Sequence, residues 1–207
     1  MDKSLEAVNV YNKIAEKYTK IFFNDFSDIK ELDYFLSLLP KRAKILDIGC
    51  GPGNFTKYFI SKGFDSEGID LSSEMIKIAK IKVPEGRFKI MDLRRLDYPS
   101  NQFDGLIAAD SFMHIPKRDA KKALLGFKKV LKPNGLLFFI VKEGKGERFL
   151  IEPLNPKEKC YIKLWQLSEI IDLFKKCKFE IIFKSEKKSE VKEELKYNKM
   201  FLIARKL

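Results

Sequence analysis

Several kinds of residue are scarce in this chain of 207 residues, and each scarcity removes a class of function. It has one histidine and three cysteines, none of them in a C-x-x-C pair. So few and so scattered residues predict neither a disulfide framework nor a metal centre. No early apolar leader and no run of about 18 apolar residues is present. We therefore expect a cytoplasmic protein without a membrane segment.

Acidic residues are also fewer than basic ones. Lysine and arginine total 41 against 29 acidic residues, which gives a net charge of +12 and a pI near 9.4. The lysines are spread along the chain rather than gathered in one arginine-rich block. This distribution is typical of a solvated surface and makes a nucleic-acid partner the less favoured interpretation. It favours a small, anionic substrate that a basic surface would attract.

Glycines at alternate positions mark the most informative segment. Lys44–Ile48 is an apolar run that predicts a buried strand, and Gly49, Gly51 and Gly53 follow it directly. Glycine lets a ligand lie against the backbone where a β-carbon would block it. An amphipathic helix comes next, so its first amide groups face the same place. The segment predicts a nucleotide-type pocket at a strand-to-helix turn.

The spacing of this turn differs from that of a dinucleotide-binding loop. The G-x-G-x-x-G pattern would need glycine at position 54, where Asn54 stands. Pro52 lacks an amide that a pyrophosphate could have used. Asp47 places a carboxylate beside the loop, which suits a cationic ligand group better than a phosphate. An NAD-linked oxidoreductase is therefore disfavoured.

Further strands follow, and two of them end in an acid. Phe64–Ile69 predicts the second strand, closed by Asp70, and Arg87–Met91 predicts the third, closed by Asp92. Asp70 lies roughly 20 residues beyond the glycines, the distance at which an acid meets ribose hydroxyls. The remaining expected strands are 103–108, 136–141, 179–183 and 200–204.

Outside these strands we expect helices and one long loop. Helical spacing predicts helices over 5–23, 25–39 and 117–131, and a further helix capped by Ser168. The stretch from Glu143 to Gln166 is expected to be a loop that forms part of an acceptor pocket. A charged connection is expected over 184–196.

Four segments in order resemble the successive motifs of class I S-adenosylmethionine-dependent methyltransferases. They are ILDIGCGPGNFT, GIDLSSEMIKIAK, MDLRRLDYPSNQFDGLIAADSFMHIP and VLKPNGLLFFIV. The chain is most similar to the small, single-domain group that includes the ubiquinone- and menaquinone-biosynthesis type. The resemblance implies an α/β fold: a three-layer Rossmann-like sandwich with a seven-stranded, mostly parallel sheet. The implied strand order is 3-2-1-4-5-7-6, with strand 7 antiparallel.

The resemblance also implies a division of the single domain over 1–207. Residues 1–40 would form a helical lid, 41–142 the cofactor-binding core, and 143–207 the acceptor loop and the end of the sheet. The implied cofactor is S-adenosyl-L-methionine, with S-adenosyl-L-homocysteine as product. Asp47 would bind its amino group, Asp70 would bind its ribose, and Asp92 and Leu93 would bind its adenine. The full set of implied cofactor contacts is Tyr11, Tyr18, Asp47, Gly49, Cys50, Gly51, Gly53, Asn54, Asp70, Leu71, Met75, Asp92, Leu93 and Ala109.

The one histidine lies just after the expected fourth strand, near where the donor would meet its acceptor. A histidine can take up a proton near neutral pH, so His114 is a candidate general base. The alternative is a loop histidine that only bonds the backbone. We expect a methyltransferase acting on an O, N or C nucleophile of a small molecule. An RNA or protein methyltransferase and a non-catalytic module that binds S-adenosylmethionine remain alternatives.

Overall fold

The computed structural model of the protein describes residues 2–188 and 193–207. Its helices and strands alternate along most of the chain. The helices are α1 (Lys3–Phe22), α2 (Ile29–Ser37), α3 (Asn54–Ser61), α4 (Ser73–Lys82), α5 (Lys117–Val130) and α6 (Leu167–Lys176). The strands are β1 (Lys44–Ile48), β2 (Asp65–Asp70), β3 (Arg87–Ile90), β4 (Phe103–Ala109), β5 (Leu131–Lys142), β6 (Gly146–Glu152), β7 (Asn155–Leu164), β8 (Phe179–Lys187) and β9 (Lys199–Lys206).

The main sheet has seven strands in the order β3-β2-β1-β4-β5-β9-β8. The strands from β3 to β5 pair in parallel, whereas β9 is antiparallel to both of its neighbours. This confirms the predicted sheet. The last two strands are the eighth and ninth of the chain because an additional antiparallel pair, β6 and β7, precedes them.

Alternate residues of the central strands bury against helices on opposite faces of the sheet. Leu46 of β1 packs in the cluster that contains α5 and α6, while the adjacent Ile45 packs in the cluster that contains α2 and α3. Because a strand buried on both faces packs side chains on both, β4 and β5 carry the continuous apolar runs 106–108 and 136–141. The three-layer arrangement leaves the carboxyl ends of the parallel strands open at one edge.

Two details of the predicted connections are wrong. The stretch from Glu143 to Gln166 is not a loop, because β6 and β7 pair across it from Gly146↔Leu164 to Glu152↔Asn155. Its glycines and prolines favoured a loop, and cross-strand pairing outweighs them. The cap of α6 is Gln166 rather than Ser168, in a capping box with Glu169.

In the predicted connection over 184–196, β8 continues to Lys187. Residues 189–192 lie outside the described residues.

Among residues 2–188 and 193–207, no helix combines the length and the apolar character that crossing a membrane would require.

Candidate active site

A cavity opens at the carboxyl ends of β1, β2 and β4, with α1 across it. This is the edge where open α/β sheets bind ligands. We call it the main cavity. Its walls are formed by Ser4, Ala7, Val8, Tyr11, Tyr18, Gly49, Gly51, Asp70, Leu71, Ser72, Met75, Met91, Asp92, Leu93, Ala109, Asp110, Ser111, His114 and Ile115.

The turn after β1 brings the backbone to the cavity wall. Gly49 has φ +76° and its N–H donates to the carbonyl of Ile69 over 2.7 Å. A β-carbon on Gly49 would lie 2.3 Å from Cβ of Ser111. Ser111 is held there because its hydroxyl donates to the carbonyl of Ile48. The tight fit of two backbone segments explains why glycine is needed at this position.

Asp70 fixes the next part of the wall. Its two carboxylate oxygens accept from the backbone N–H of Gly51 over 2.9 Å and of Ser72 over 2.8 Å. Burial raises the pKa of Asp70, and these backbone hydrogen bonds counteract the rise. Ser72 caps α4 by accepting from the N–H of Met75, as its position predicts. The acid is therefore held at the tip of β2 facing the cavity.

The far end of the main cavity is apolar with one acid at its edge. Met75, Leu93 and Ile115 are among the residues that line it. Asp92 also lines it, but Arg94 holds both of its carboxylate oxygens through its Nε at 3.0 Å. The same guanidinium bonds Asp2, the N-cap of α1, over 2.8 Å. Arg94 thus ties the start of α1 to this end of the cavity.

The wall opposite the sheet carries the predicted tyrosines and the histidine. Nδ1 of His114 lies 3.0 Å from the carbonyl oxygen of Tyr161, which can only accept, so Nδ1 carries the proton. Nε2 is then the acceptor, and the Tyr11 hydroxyl donates to it over 3.1 Å. Burial lowers the pKa of His114, which keeps the ring neutral at pH 7. Tyr18 stands beside Tyr11 with ring centroids 5.9 Å apart.

Four predicted contacts lie outside the main cavity. Asp47 is buried beneath the turn, where its Oδ2 accepts from the Thr56 hydroxyl over 2.8 Å. Burial is the main reason that its pKa rises to about 7. Gly53 packs against Phe88, 2.9 Å from where its β-carbon would be. Cys50 and Asn54 line a neighbouring cavity on the other side of the turn.

Several residues of the wall were missed by the sequence analysis. Ser4, Ala7 and Val8 share the α1 face of Tyr11, and three- and four-residue spacing along this helix could have indicated them. Asp110, by contrast, lies in the third motif of the resemblance, next to Ala109, and has φ +50°, a conformation in which aspartate is one of the few residues commonly found. The role of Arg94 depends on contacts between distant segments and has no local sequence signal.

Comparison with known proteins agrees with this geometry. Residues 45–135 match the family described as "Methyltransferase domain". A putative methyltransferase of Bacillus subtilis is 37% identical over 108 residues, which cover 50% of this chain and 44% of that protein. The chain thus spans about half the length of this curated relative.

Two solved structures show the same fold at low identity. One is a Burkholderia thailandensis 1,6-didemethyltoxoflavin-N1-methyltransferase with S-adenosylhomocysteine bound. It is 19% identical with a TM-score of 0.76, and the match covers 96% of this chain and 86% of that one. The other is the [4+2]-cyclase SpnF, 17% identical with a TM-score of 0.77, covering 99% and 96%. Residues 45–135 therefore match a methyltransferase domain, and the chain has the same fold as these two structures.

Proposed function

We propose that this protein transfers a methyl group from S-adenosyl-L-methionine to an O, N or C nucleophile of a small molecule. The observation that carries the proposal is the main cavity. In it the glycine turn after β1, Asp70 at the end of β2 and Ala109 at the end of β4 meet in one wall. Each of these positions was expected to contact the cofactor, and they come from separate parts of the chain.

The charge of the main cavity fits this donor better than a dinucleotide. Among the described residues that line it, the charged ones are Asp70, Asp92 and Asp110, with no lysine or arginine. A sulfonium donor is cationic, whereas the pyrophosphate of NAD carries two negative charges. Coulomb attraction in a partly buried site therefore favours the sulfonium. Gly51 adds close access, because the nearest atom to a β-carbon there is 3.9 Å away on Tyr18.

The chain's own residues would bind and align the reactants. Asp70 would accept from the ribose hydroxyls, while Met75 and Leu93 would enclose the adenine ring. When bound, the donor supplies a methyl group already activated on sulfur, and S-adenosyl-L-homocysteine is the product. Alignment and exclusion of water by α1 would then supply much of the rate, on the scale of about 7 kcal/mol or more.

His114 would handle the proton of an acceptor that must lose one. The neutral ring has its lone pair on Nε2, which accepts from the hydroxyl of Tyr11, and both residues line the cavity. A proton leaving the acceptor could pass to the Tyr11 oxygen while the Tyr11 proton passes to Nε2. The pair is thus suited to act as a general base whose conjugate acid is a buried imidazolium.

A second candidate function is a reaction without methyl transfer. The structural neighbour SpnF is a [4+2]-cyclase with the same fold, so the fold alone does not decide the chemistry. An RNA or protein methyltransferase is a further alternative. The basic surface would attract an anionic acceptor, and this prediction rests on the net charge of +12 alone.

The test is a labelled transfer experiment. The protein would be incubated with S-adenosylmethionine carrying a deuterated methyl group and with panels of phenols, amines, thiols, carboxylates, RNA and proteins. We expect a labelled small-molecule product and an equal amount of S-adenosylhomocysteine. If RNA or protein carried the label instead, the acceptor would be a macromolecule and the proposed small-molecule acceptor would be wrong. Tight donor binding with no label transferred to any panel would favour the cyclase or a binding module.

Three finer expectations stay predictions. The similarity to the ubiquinone and menaquinone type would be tested by including quinone precursors among the phenols. A cytoplasmic location would be tested by fractionation of cells. The boundaries of the lid, core and acceptor segments would be tested by limited proteolysis with and without S-adenosylhomocysteine.

A further inference from the structure

A second cavity lies on the other side of the glycine turn. Part of its wall is formed by the connection between α1 and α2 and by the ends of β5 and β9. It shares wall residues with the main cavity, so the two form adjoining compartments. The shared residues are Tyr18, Gly49, Gly51, Ala109 and Asp110.

The second cavity is acidic inside a basic protein. Its charged wall residues in the described part of the chain are the acids Asp25, Asp28, Asp110 and Glu194, against one cation, Lys199. The carboxylate of Asp25 accepts hydrogen bonds from the backbone N–H and the hydroxyl of Ser27. The remaining acids belong to a buried ion cluster, which we call the Asp28 cluster. It consists of Asp28, Asp110, Lys142, Glu194 and Lys199.

The pairing within the Asp28 cluster is incomplete. Nζ of Lys199 bonds Oδ2 of Asp28 over 2.7 Å and Oε1 of Glu194 over 2.9 Å. Nζ of Lys142 is 3.5 Å from Oδ2 of Asp110. Within the described residues, nothing donates to Oδ1 of Asp28 or to Oδ1 of Asp110, although both atoms are buried.

These two free oxygens need a physical explanation. Asp28 as a whole is only 8% exposed and lines the cavity. A buried carboxylate oxygen that accepts no hydrogen bond destabilises the folded state, and such oxygens are rare in native proteins. Burial raises the pKa of Asp28, and the ammonium of Lys199 counteracts this rise. A cationic nitrogen entering the cavity would bring hydrogen-bond donors to this wall.

Asp47 was expected to bind the amino group of the donor, but the structure places it away from both cavities. Its Oδ2 accepts from Thr56 and it lines neither cavity. We propose that the second cavity is an ammonium subsite, in which Oδ1 of Asp28 and Oδ1 of Asp110 accept hydrogen bonds from a cationic nitrogen. This rests on the proposed function, because the nitrogen belongs either to the amino-acid end of the donor or to an amine acceptor.

Titration calorimetry with S-adenosylhomocysteine and with 5′-methylthioadenosine, which lacks the amino-acid end, tests the subsite. Asp28→Asn and Asp110→Asn keep the shape of each side chain, and asparagine tolerates the left-handed backbone of residue 110. If the nitrogen is that of the donor, each variant weakens S-adenosylhomocysteine binding by about 30-fold and leaves methylthioadenosine binding unchanged. Unchanged methylthioadenosine binding also shows that the variant is folded.

The other source gives a different pattern. If the nitrogen is that of an acceptor, both nucleosides bind the variants normally, while ethylammonium binding to the S-adenosylhomocysteine complex is lost. Asp104→Asn is the matched control, since Asp104 pairs with Lys132 over 2.8 Å at the opposite end of β4. The inference is overturned if the Asp28 and Asp110 variants match this control in every titration. If the wild-type protein binds no S-adenosylhomocysteine, the proposed function itself fails.

Discussion

The two walls of the main cavity are built in different ways. The sheet wall comes from the turn after β1 and from the last residues of β2 and β4, where Gly49, Asp70 and Ala109 stand. The lid wall combines α1 with His114, which lies in the short helix Phe112–His114 after β4 and is oriented by the carbonyl of Tyr161, 47 positions away in the chain. Short motifs specify the sheet wall, and contacts between distant segments specify the lid wall. We therefore expect changes in the sheet wall to affect donor binding, and changes in the lid wall to affect turnover.

The largest expected effect is at the tightest point of the sheet wall. Gly49→Ala would place a β-carbon 2.3 Å from Cβ of Ser111 at φ +76°. We expect a loss of about 3 kcal/mol or more of unfolding free energy and no detectable S-adenosylhomocysteine binding. Gly63→Ala is the control, because its φ is +85° but no atom lies within 4 Å. It should cost about 1 kcal/mol and retain binding. Equal effects of the two variants would contradict the account.

The next effect is at the tip of β2. Asp70→Asn removes the charge that would accept from the ribose hydroxyls while keeping a side chain of the same shape. We expect calorimetry to show about 30-fold weaker binding of S-adenosylhomocysteine. Asp65→Asn, at the other end of the same strand, should bind normally. Normal binding by the Asp70 variant would remove this residue from the site.

A smaller, purely kinetic effect is expected in the lid wall. His114→Ala should lower kcat roughly 100-fold for an acceptor that loses a proton, with donor affinity unchanged. Because burial lowers the pKa of His114, the wild-type rate should begin to fall at a lower pH than it would with an ordinary histidine as the base. Tyr11→Phe should give an intermediate loss. Full turnover by the His114 variant would require another base.

Substitution of Asp47 is expected to have the smallest effect on function, together with a separate effect on stability. Its pKa is about 7 in the folded protein and 3.8 ordinarily, so folded protein holds the proton between these values. Stability is therefore lost as the pH rises from about 4 to 7. Asp47→Asn should escape this loss, so its stability relative to the wild type should rise by about 4 kcal/mol between pH 4 and pH 8, measured by urea unfolding. Donor affinity should not change, and a tenfold loss would restore Asp47 to the site.

The same division explains what the sequence could predict. Runs bounded by turns predict most of the strands, the resemblance to class I methyltransferases implies their order in the sheet, and the spacing after those runs indicates Gly49, Gly51 and Asp70. The position of Asp47 outside the cavity could not be predicted from the sequence, because its carboxylate accepts a hydrogen bond from Thr56 only in the folded protein. The β6–β7 pair was missed since its stability lies in cross-strand pairing that no single strand displays.

The most direct measurement is a crystal structure of the protein with S-adenosylhomocysteine. The account predicts the ribose hydroxyls at the carboxylate of Asp70, the adenine between Met75 and Leu93, and the sulfur beside Gly49 and Ala109. A main cavity that stays empty at saturating ligand, or a ligand bound elsewhere on the protein, would contradict it.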